Sequence, residues 1–268
     1  MSENEIIDLR RHGRPPYTVA LLHGGPGARG EMAPVARVLS SSRGVLEPLQ
    51  RATSVRGQVE ELRRDLEAAG DPPMALIGFS WGGWLGFILA AEHPDLVGKL
   101  ILVGCAPFEE RRASAVHLTR MSRLGVEERR EASSILRLLE GPEVAGAEEM
   151  DAALRRLGAI FSKADSYDPI LPESVDVDLQ PEAFQAVWRE AAELRKSGRL
   201  LELGRRIECP VVAIQGEHDP HPAEGVRLPL SSVLKSFRFF LLQESGHKPW
   251  IERRSRDKFY QILDHELR

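Results

Sequence analysis

The chain has 268 residues, of which 42% are hydrophobic and 28% charged, values that exclude a disordered or collagen-like chain. The formal net charge of −4 gives no electrostatic reason to expect nucleic acid or an anionic membrane as a partner. No apolar run of about 18 residues and no apolar leader are present, so we expect a cytoplasmic protein, monomeric or homodimeric, with a small-molecule partner. Cys105 and Cys209 each border an apolar run and are expected to be reduced.

Apolar runs of strand length recur between longer amphipathic segments. They predict strands at residues 17–22, 45–49, 74–79, 100–105, 210–215 and 238–242. Such runs are typical of a parallel sheet buried on both faces. Residues 54–69 carry apolar side chains at three- and four-residue spacings and predict an amphipathic helix, and further helices are predicted at 82–93 and 255–267.

The alternation of strands and helices stops between residues 107 and 206. Helical patterning replaces it at residues 113–124, 127–140, 148–161 and 181–197, with breaks at Gly141-Pro142 and in the loop 165–181. The charged runs on these helices are expected to be solvated faces. We therefore predict a core domain formed by residues 1–106 and 207–268, with residues 107–206 inserted as a helical cap.

The sequence GFSWGG at residues 78–83 follows a predicted strand and precedes a predicted helix. A tight turn of this kind would expose the hydroxyl of Ser80 at a helix N-terminus, where developing negative charge is favoured. Gly78 and Gly82 would remove the Cβ atoms that collide as the chain reverses. The alternative is a glycine-rich turn with an incidental serine; the strand and helix on either side favour a nucleophile.

A second glycine-rich loop directly follows the first long strand. It consists of His23, Gly24, Gly25, Pro26 and Gly27. A loop of small residues allows backbone N–H groups to approach a tetrahedral oxyanion, and Gly25 is the candidate for one donor, with the N–H of Trp81 as the other. Among the four tryptophans, only Trp81 is expected at the site. In the alternative interpretation the glycines only build a turn and His23 packs locally.

Asp219 and His247 follow the last two predicted strands. Because parallel strands end at one edge of a sheet, both side chains are expected to meet Ser80 there despite the long separation in sequence. Taken singly, an aspartate before proline is usually a turn former and a lone histidine is usually structural. Their joint position at successive strand ends favours an acid and a base.

Four motifs together resemble the α/β-hydrolase superfamily, and within it are similar to the proline iminopeptidase-like group. They are HGGPG at 23–27, GFSWGG at 78–83, GEHD at 216–219 and GHKPW at 246–250, and the resemblance runs from Tyr17 to the C-terminus. It implies an α/β-hydrolase fold, a mainly parallel sheet flanked by helices with an inserted helical cap. It also implies that Ser80 is the nucleophile, Asp219 the acid and His247 the base, with Gly25 and Trp81 as the oxyanion hole.

The chain departs from that group at two places. Where proline iminopeptidases carry Asp-Gln-Arg-Gly after a strand, residues 46–53 read LEPLQRAT, so the substrate side is expected to differ. Few residues precede Tyr17, so the leading strand region is expected to be shortened, with residues 5–10 supplying at most one edge strand.

Other kinds of site are disfavoured by spacing. Glu217, His218, Asp219 and His221 are ligand types, but their proline-rich loop lacks the i, i+4 spacing that directs side chains at one ion, so we expect no metal. No P-loop or dinucleotide motif is present, and no cofactor is expected. Three functions stay open at this stage, namely a carboxylesterase, an aminopeptidase, and a non-catalytic protein that binds a small ligand on the same fold.

Overall fold

A seven-stranded sheet runs through the centre of the computed structural model, which describes residues 8–140, 147–170 and 177–268. In chain order the strands are β1 (Leu9–His12), β2 (Tyr17–Leu22), β3 (Ala28–Arg29), β4 (Gly44–Pro48), β5 (Met74–Phe79), β6 (Val97–Val103), β7 (Asp178–Leu179), β8 (Val211–Gly216) and β9 (Phe237–Leu242). All but β3 and β7 belong to the central sheet, in the spatial order β1-β4-β2-β5-β6-β8-β9. Every neighbouring pair is parallel except β1 with β4.

The mainly parallel sheet confirms the predicted fold class, and its sequence explains why it is buried on both faces. Consecutive side chains of a strand point to opposite faces, so Leu76 and Leu100 lie in one apolar cluster while Ile77 and Ile101 lie in the other. All four are fully buried. The six predicted runs are all strands, with ends within three residues of the prediction.

The N-terminal edge of the sheet is formed by β1 in the part of the chain that the structure describes. β1 has four residues and pairs antiparallel with β4, so it forms a single edge strand. It begins at Leu9, near the end of the predicted range, and residues 5–7 of that range lie outside the described residues.

Ten α-helices accompany the strands among the described residues. They are α1 (Ala33–Leu39), α2 (Val55–Ala69), α3 (Trp81–Glu92), α4 (Glu110–Arg123), α5 (Val126–Glu140), α6 (Ala147–Asp165), α7 (Pro181–Lys196), α8 (Arg199–Glu202), α9 (Glu224–Val233) and α10 (Arg256–Glu266). The Ser54 side chain caps α2 by accepting a hydrogen bond from the Gly57 N–H. Two core helices, α1 and α9, were not predicted, because α1 is only seven residues long and α9 contains Pro229.

The helices between β6 and β8 have a small apolar cluster of their own. Its buried members are Leu124, Ala132, Leu157, Ile160 and Ala164. No residue of α4 is buried, whereas Val187 and Ala191 of α7 join a main core cluster. We call residues 107–206 the helical segment; the exact domain boundaries stay a prediction.

None of the described helices combines the length and the mean hydropathy that crossing a bilayer requires. Both cysteines are free, as predicted, and Cys105 is fully buried.

Candidate active site

Ser80 occupies a strained turn between β5 and α3. Its φ of 50° and ψ of −111° lie in a region that residues with a side chain rarely adopt, at a cost of order 1–3 kcal/mol. A Cβ at Gly78 would lie 2.3 Å from the Gly82 carbonyl oxygen, and a Cβ at Gly82 would lie 2.3 Å from that of Leu22. Both positions therefore require glycine, as the sequence indicated. The Ser80 hydroxyl makes no capping hydrogen bond to α3, which leaves it available for chemistry.

The loops after β8 and β9 touch each other through their backbones. The His218 N–H donates to the Ser245 carbonyl oxygen at 2.8 Å, and a Cβ at Gly216 would lie 2.3 Å from the Gly246 carbonyl oxygen. Strands β8 and β9 are parallel neighbours, so their carboxyl ends deliver both loops to the same edge. Asp219 and His247 are brought together in this way.

The imidazole of His247 hydrogen-bonds to the carboxylate of Asp219, with 2.9 Å between Nδ1 and Oδ2. An ionised carboxylate only accepts hydrogen bonds, so the Nδ1 of His247 is the donor in this bond. Burial acts to raise the pKa of Asp219, but the electrostatic interactions and hydrogen bonds with His247 and His221 outweigh it and hold the pKa below its ordinary value. The pair therefore has the acid ionised and the Nδ1–H of the imidazole directed at it.

The His247 ring also packs against the residues that flank the Ser80 turn. Its centroid is 4.7 Å from that of Phe79, the residue directly before Ser80. A Cβ at Gly104 would lie 2.9 Å from His247 Nδ1, and the preceding residue, Val103, accepts a 2.9 Å hydrogen bond from the Ser80 N–H. Ser80 and His247 thus border the same few residues at the ends of β5 and β6.

The glycine-rich loop is fixed at both of its ends. His23 is buried and donates from Nδ1 to the Gly24 carbonyl oxygen at 2.9 Å, and burial lowers the pKa of its ring. At the other end the Gly27 carbonyl oxygen accepts a 2.9 Å hydrogen bond from the Gln180 N–H. Gly25 lies between them with a φ of +41°, which favours glycine. Hydrogen bonds at both ends therefore fix the position of the loop.

Two ion pairs tie this loop to its surroundings. Lys248, next to His247, pairs with Glu31 at 2.6 Å between Nζ and Oε1. The buried guanidinium of Arg29 pairs with Asp178 at 2.6 Å beside the β3–β7 pairing. The loop is thereby connected to the His247 loop on one side and to the helical segment on the other.

The side chain and the backbone N–H of Trp81 have different relations to the candidate site. The indole is fully buried and its Nε1–H donates to Gln58 Oε1 at 2.8 Å, so the ring does not line an open site. As the first residue of α3, however, Trp81 has a backbone N–H with no acceptor inside the helix. Only that N–H fits the predicted oxyanion role.

His221 joins the site, which the sequence reasoning missed. Its ring Nδ1 and its backbone N–H both bond to Asp219 Oδ1, at 2.8 and 2.9 Å, and its ring stacks on that of His247 with centroids 4.5 Å apart. The Asp-Pro-His spacing is a signal for it, because an aspartate side chain commonly accepts from the N–H two residues on. Burial lowers the pKa of His221, which favours the neutral ring.

Asp219, His221 and His247 form the one group within the described chain whose side-chain atoms lie close enough, within 4.8 Å, to be considered for a metal ion. The Asp219 carboxylate is already engaged in hydrogen bonds, because each of its oxygens accepts one from a ring Nδ1 and one from a further donor. A metal ion there would have to replace these hydrogen bonds. Among the other residues weighed for a metal, His218 instead packs edge-on against Tyr167.

The helical segment holds the His247 loop directly. The His247 N–H donates to the Asp165 carbonyl oxygen at 2.8 Å, at the end of α6. Arg120 of α4 binds the Asp165 carboxylate through two hydrogen bonds of 2.8 and 2.6 Å. Buried Glu252 accepts hydrogen bonds from the N–H groups of Gly246 and Tyr167. These contacts join the segment to the loop that carries the candidate base.

A sequence profile of the family described as alpha/beta hydrolase fold matches residues 52–253. That range contains Ser80, Asp219 and His247. A Streptomyces coelicolor protein named "Probable proline iminopeptidase" is 33% identical over 112 aligned positions, and the match covers 35% of this chain and 34% of that protein. The match thus spans about a third of the length of this curated relative.

Solved structures share the fold over nearly the whole chain. A proline iminopeptidase from Mycobacterium smegmatis has a TM-score of 0.62 at 17% identity and covers 97% of this chain and 93% of its own. A monoacylglycerol lipase from Paleococcus ferrophilus has a TM-score of 0.62 at 18% identity and covers 97% of both chains. At such identities the likeness concerns the fold.

Proposed function

The chain belongs to the α/β-hydrolase fold family, and on that premise we propose that it is a serine hydrolase that cleaves small carboxylic esters or amides. The observation that carries the proposal is the position of the His247 imidazole, hydrogen-bonded to Asp219 on one side and packed against Phe79, next to Ser80, on the other. This arrangement supports the roles of nucleophile, base and orienting acid for Ser80, His247 and Asp219.

In the proposed mechanism Ser80 Oγ attacks the substrate carbonyl carbon while His247 Nε2 takes the hydroxyl proton. Asp219 keeps the Nδ1–H tautomer and stabilises the imidazolium that forms. The N–H groups of Gly25 and Trp81 donate to the oxyanion, each contributing about 3 kcal/mol. His247 then returns the proton to the leaving group, an acyl-enzyme remains on Ser80, and a water activated by His247 releases the acid. No cofactor takes part.

The acidic side chains around the site favour an ester substrate over a peptide N-terminus. An aminopeptidase needs free carboxylates for the substrate ammonium. Three of the described acids that contact the loops of the site are engaged, since Asp165 pairs with Arg120 and Glu31 with Lys248, and Glu252 accepts backbone N–H groups. We therefore put a carboxylesterase-like activity first.

A proline iminopeptidase-like activity is the second candidate, and the similarity to the Streptomyces coelicolor protein favours it. For either activity we propose that residues 107–206 form a cap that covers the site and sets substrate preference, as lids on active sites commonly do. The contact of the Asp165 carbonyl oxygen with the His247 N–H supports this role.

A fluorophosphonate probe tests whether Ser80 is an activated nucleophile. Wild-type protein is expected to be labelled, Ser80→Ala is not, and Ser42→Ala is the matched control, because Ser42 precedes β4 at the opposite edge of the sheet. Labelling that persists in Ser80→Ala contradicts the assignment. No labelling of the wild type favours a non-catalytic protein that binds a small ligand.

A substrate panel then separates the two activities. Turnover of short p-nitrophenyl esters without turnover of prolyl amides supports the esterase. Turnover of prolyl amides with higher kcat/KM than the esters supports the aminopeptidase instead. The Ser80→Ala protein serves as the blank in both assays.

A further inference from the structure

We propose that His221 is a positioning residue that fixes Asp219 and, through it, the His247 imidazole; this inference rests on the serine hydrolase proposed above. Its side chain is buried, and its ring bonds to Oδ1 of the same carboxylate whose Oδ2 is bonded to His247. A set of nucleophile, base and acid needs only one histidine bonded to the acid, so the second histidine on the Asp219 carboxylate has a role to be explained.

The four hydrogen bonds on Asp219 are divided evenly between its two oxygens. Oδ1 accepts from the backbone N–H and ring Nδ1 of His221, and Oδ2 accepts from His247 Nδ1 and from Gln215 Nε2 at 3.0 Å. Rotation of the carboxylate toward any other orientation breaks bonds on both sides at once. His221 therefore supplies both of the bonds that hold the oxygen His247 does not use.

The stacking of the two rings adds a second constraint. The His221 and His247 planes are inclined by 28° with centroids 4.5 Å apart, so the His221 ring covers a face of the base. The Phe79 ring contacts the same imidazole. With its Nδ1 bonded and its ring packed, His247 has one orientation for Nε2, and alignment of the base contributes to the transition state rather than to substrate binding.

Two substitutions distinguish the effect of the His221 N–H donor from the effect of its aromatic ring. His221→Phe keeps an aromatic ring beside His247 but has no N–H for Asp219 Oδ1, and His221→Asn keeps a side-chain N–H donor but has no ring. We expect His221→Phe to lower kcat about 10- to 100-fold, the range for losing a hydrogen bond to a charged group, with KM nearly unchanged. We expect His221→Asn to recover about tenfold of that loss, because the donor is restored.

His218→Phe is the matched control, because His218 lies in the same loop and its ring packs on Tyr167 instead of contacting Asp219. Its kcat is expected to match the wild type, and thermal unfolding checks that each variant is folded. The inference is overturned by a His221→Phe enzyme with wild-type kcat, by equal losses in His221→Phe and His221→Asn, or by a change confined to KM.

An NMR measurement that needs no turnover tests this inference independently of the proposed function. In wild-type protein labelled with 15N-histidine, the Nδ1–H protons of His221 and His247 are expected as two downfield-shifted signals, of which His221→Asn removes one. A His221 ring protonated only on Nε2 overturns the inference even if the enzyme is active. If both signals are present but no ester or amide is hydrolysed, it is the proposed function that fails.

Discussion

The central sheet and the helical segment differ in how much apolar surface they bury, although both border the candidate site. The sheet buries apolar side chains on both faces in two extended clusters. Within the described chain, the helical segment has only five buried apolar residues in its own cluster, and exposed ion pairs such as Arg156 with Glu131 also join its helices. Burial of apolar area is the larger contribution to stability, whereas exposed ion pairs add little.

The core strands and the helical segment also contribute to the candidate site in different ways. Ser80, Asp219 and His247 are all carried by turns at the ends of core strands, where the rigid sheet fixes their spacing. The helical segment contributes backbone and ionic contacts to the loops, through Asp165 and Arg120. We therefore expect substitutions of these core residues to abolish turnover. Substitutions in the helical segment should instead affect how firmly the loops are held, and so change the rate more moderately.

The largest effect is expected from the residues on the core strands. Ser80→Ala and His247→Ala should each lower kcat for a p-nitrophenyl ester by several orders of magnitude, and the double variant should be little worse, because the residues act as a unit. Losses that multiply in the double variant would mean that the two side chains act independently.

A matched pair of leucines tests the difference in packing. Leu100→Ala, in β6, should lower the free energy of unfolding by about 2–5 kcal/mol, because the side chain is fully buried in a large cluster. Leu157→Ala, in the small cluster of the helical segment, should cost less. Urea unfolding followed by circular dichroism measures both, and an equal cost would remove the proposed difference.

Arg120→Ala tests the connection between the two regions. Losing its two hydrogen bonds to Asp165 loosens the end of α6, whose carbonyl oxygen holds the His247 N–H, so kcat should fall about tenfold. Arg130→Ala, which breaks an exposed pair with Glu127 in α5, is the control and should leave kcat unchanged. Equal rates in both variants would show that the segment does not support the base.

Asp65 of α2 gives the core a pH dependence. Burial, together with the nearby charge of Glu61, raises the pKa of Asp65 to about 7. The folded protein therefore holds this proton more tightly than the unfolded chain, so the contribution to stability falls as the pH rises from about 4 to about 7. Asp65→Asn should raise Tm by about 2–4 °C at pH 8 and by less at pH 5. A Tm difference that does not grow with pH contradicts the shift.

The smallest effect is expected from the exposed ion pairs of the helical segment. Arg156→Ala removes two hydrogen bonds to Glu131 that join α6 to α5, yet both side chains are well exposed. Tm should therefore change by about 1 °C or less. A large decrease would mean that ionic contacts, and not the small apolar cluster, hold these helices.

Much of this architecture could be predicted because the signals are local. Buried parallel strands must be apolar along their whole length, so β2 and β5 were predicted with their observed ends. The turn at Ser80 needs glycine at positions 78 and 82 because the backbone leaves no room for a Cβ, and that requirement is visible in the sequence itself.

Other features depended on contacts between residues far apart in the chain. The indole of Trp81 turns away to Gln58, the Asp165 carbonyl oxygen reaches His247, and the His221 ring stacks on that of His247. No local pattern encodes such partners, because a hydrogen bond depends on where the fold delivers each group. The sequence thus determined the strands, the strained turn and the residue types for the chemistry, while the tertiary structure alone decided what holds those residues in place.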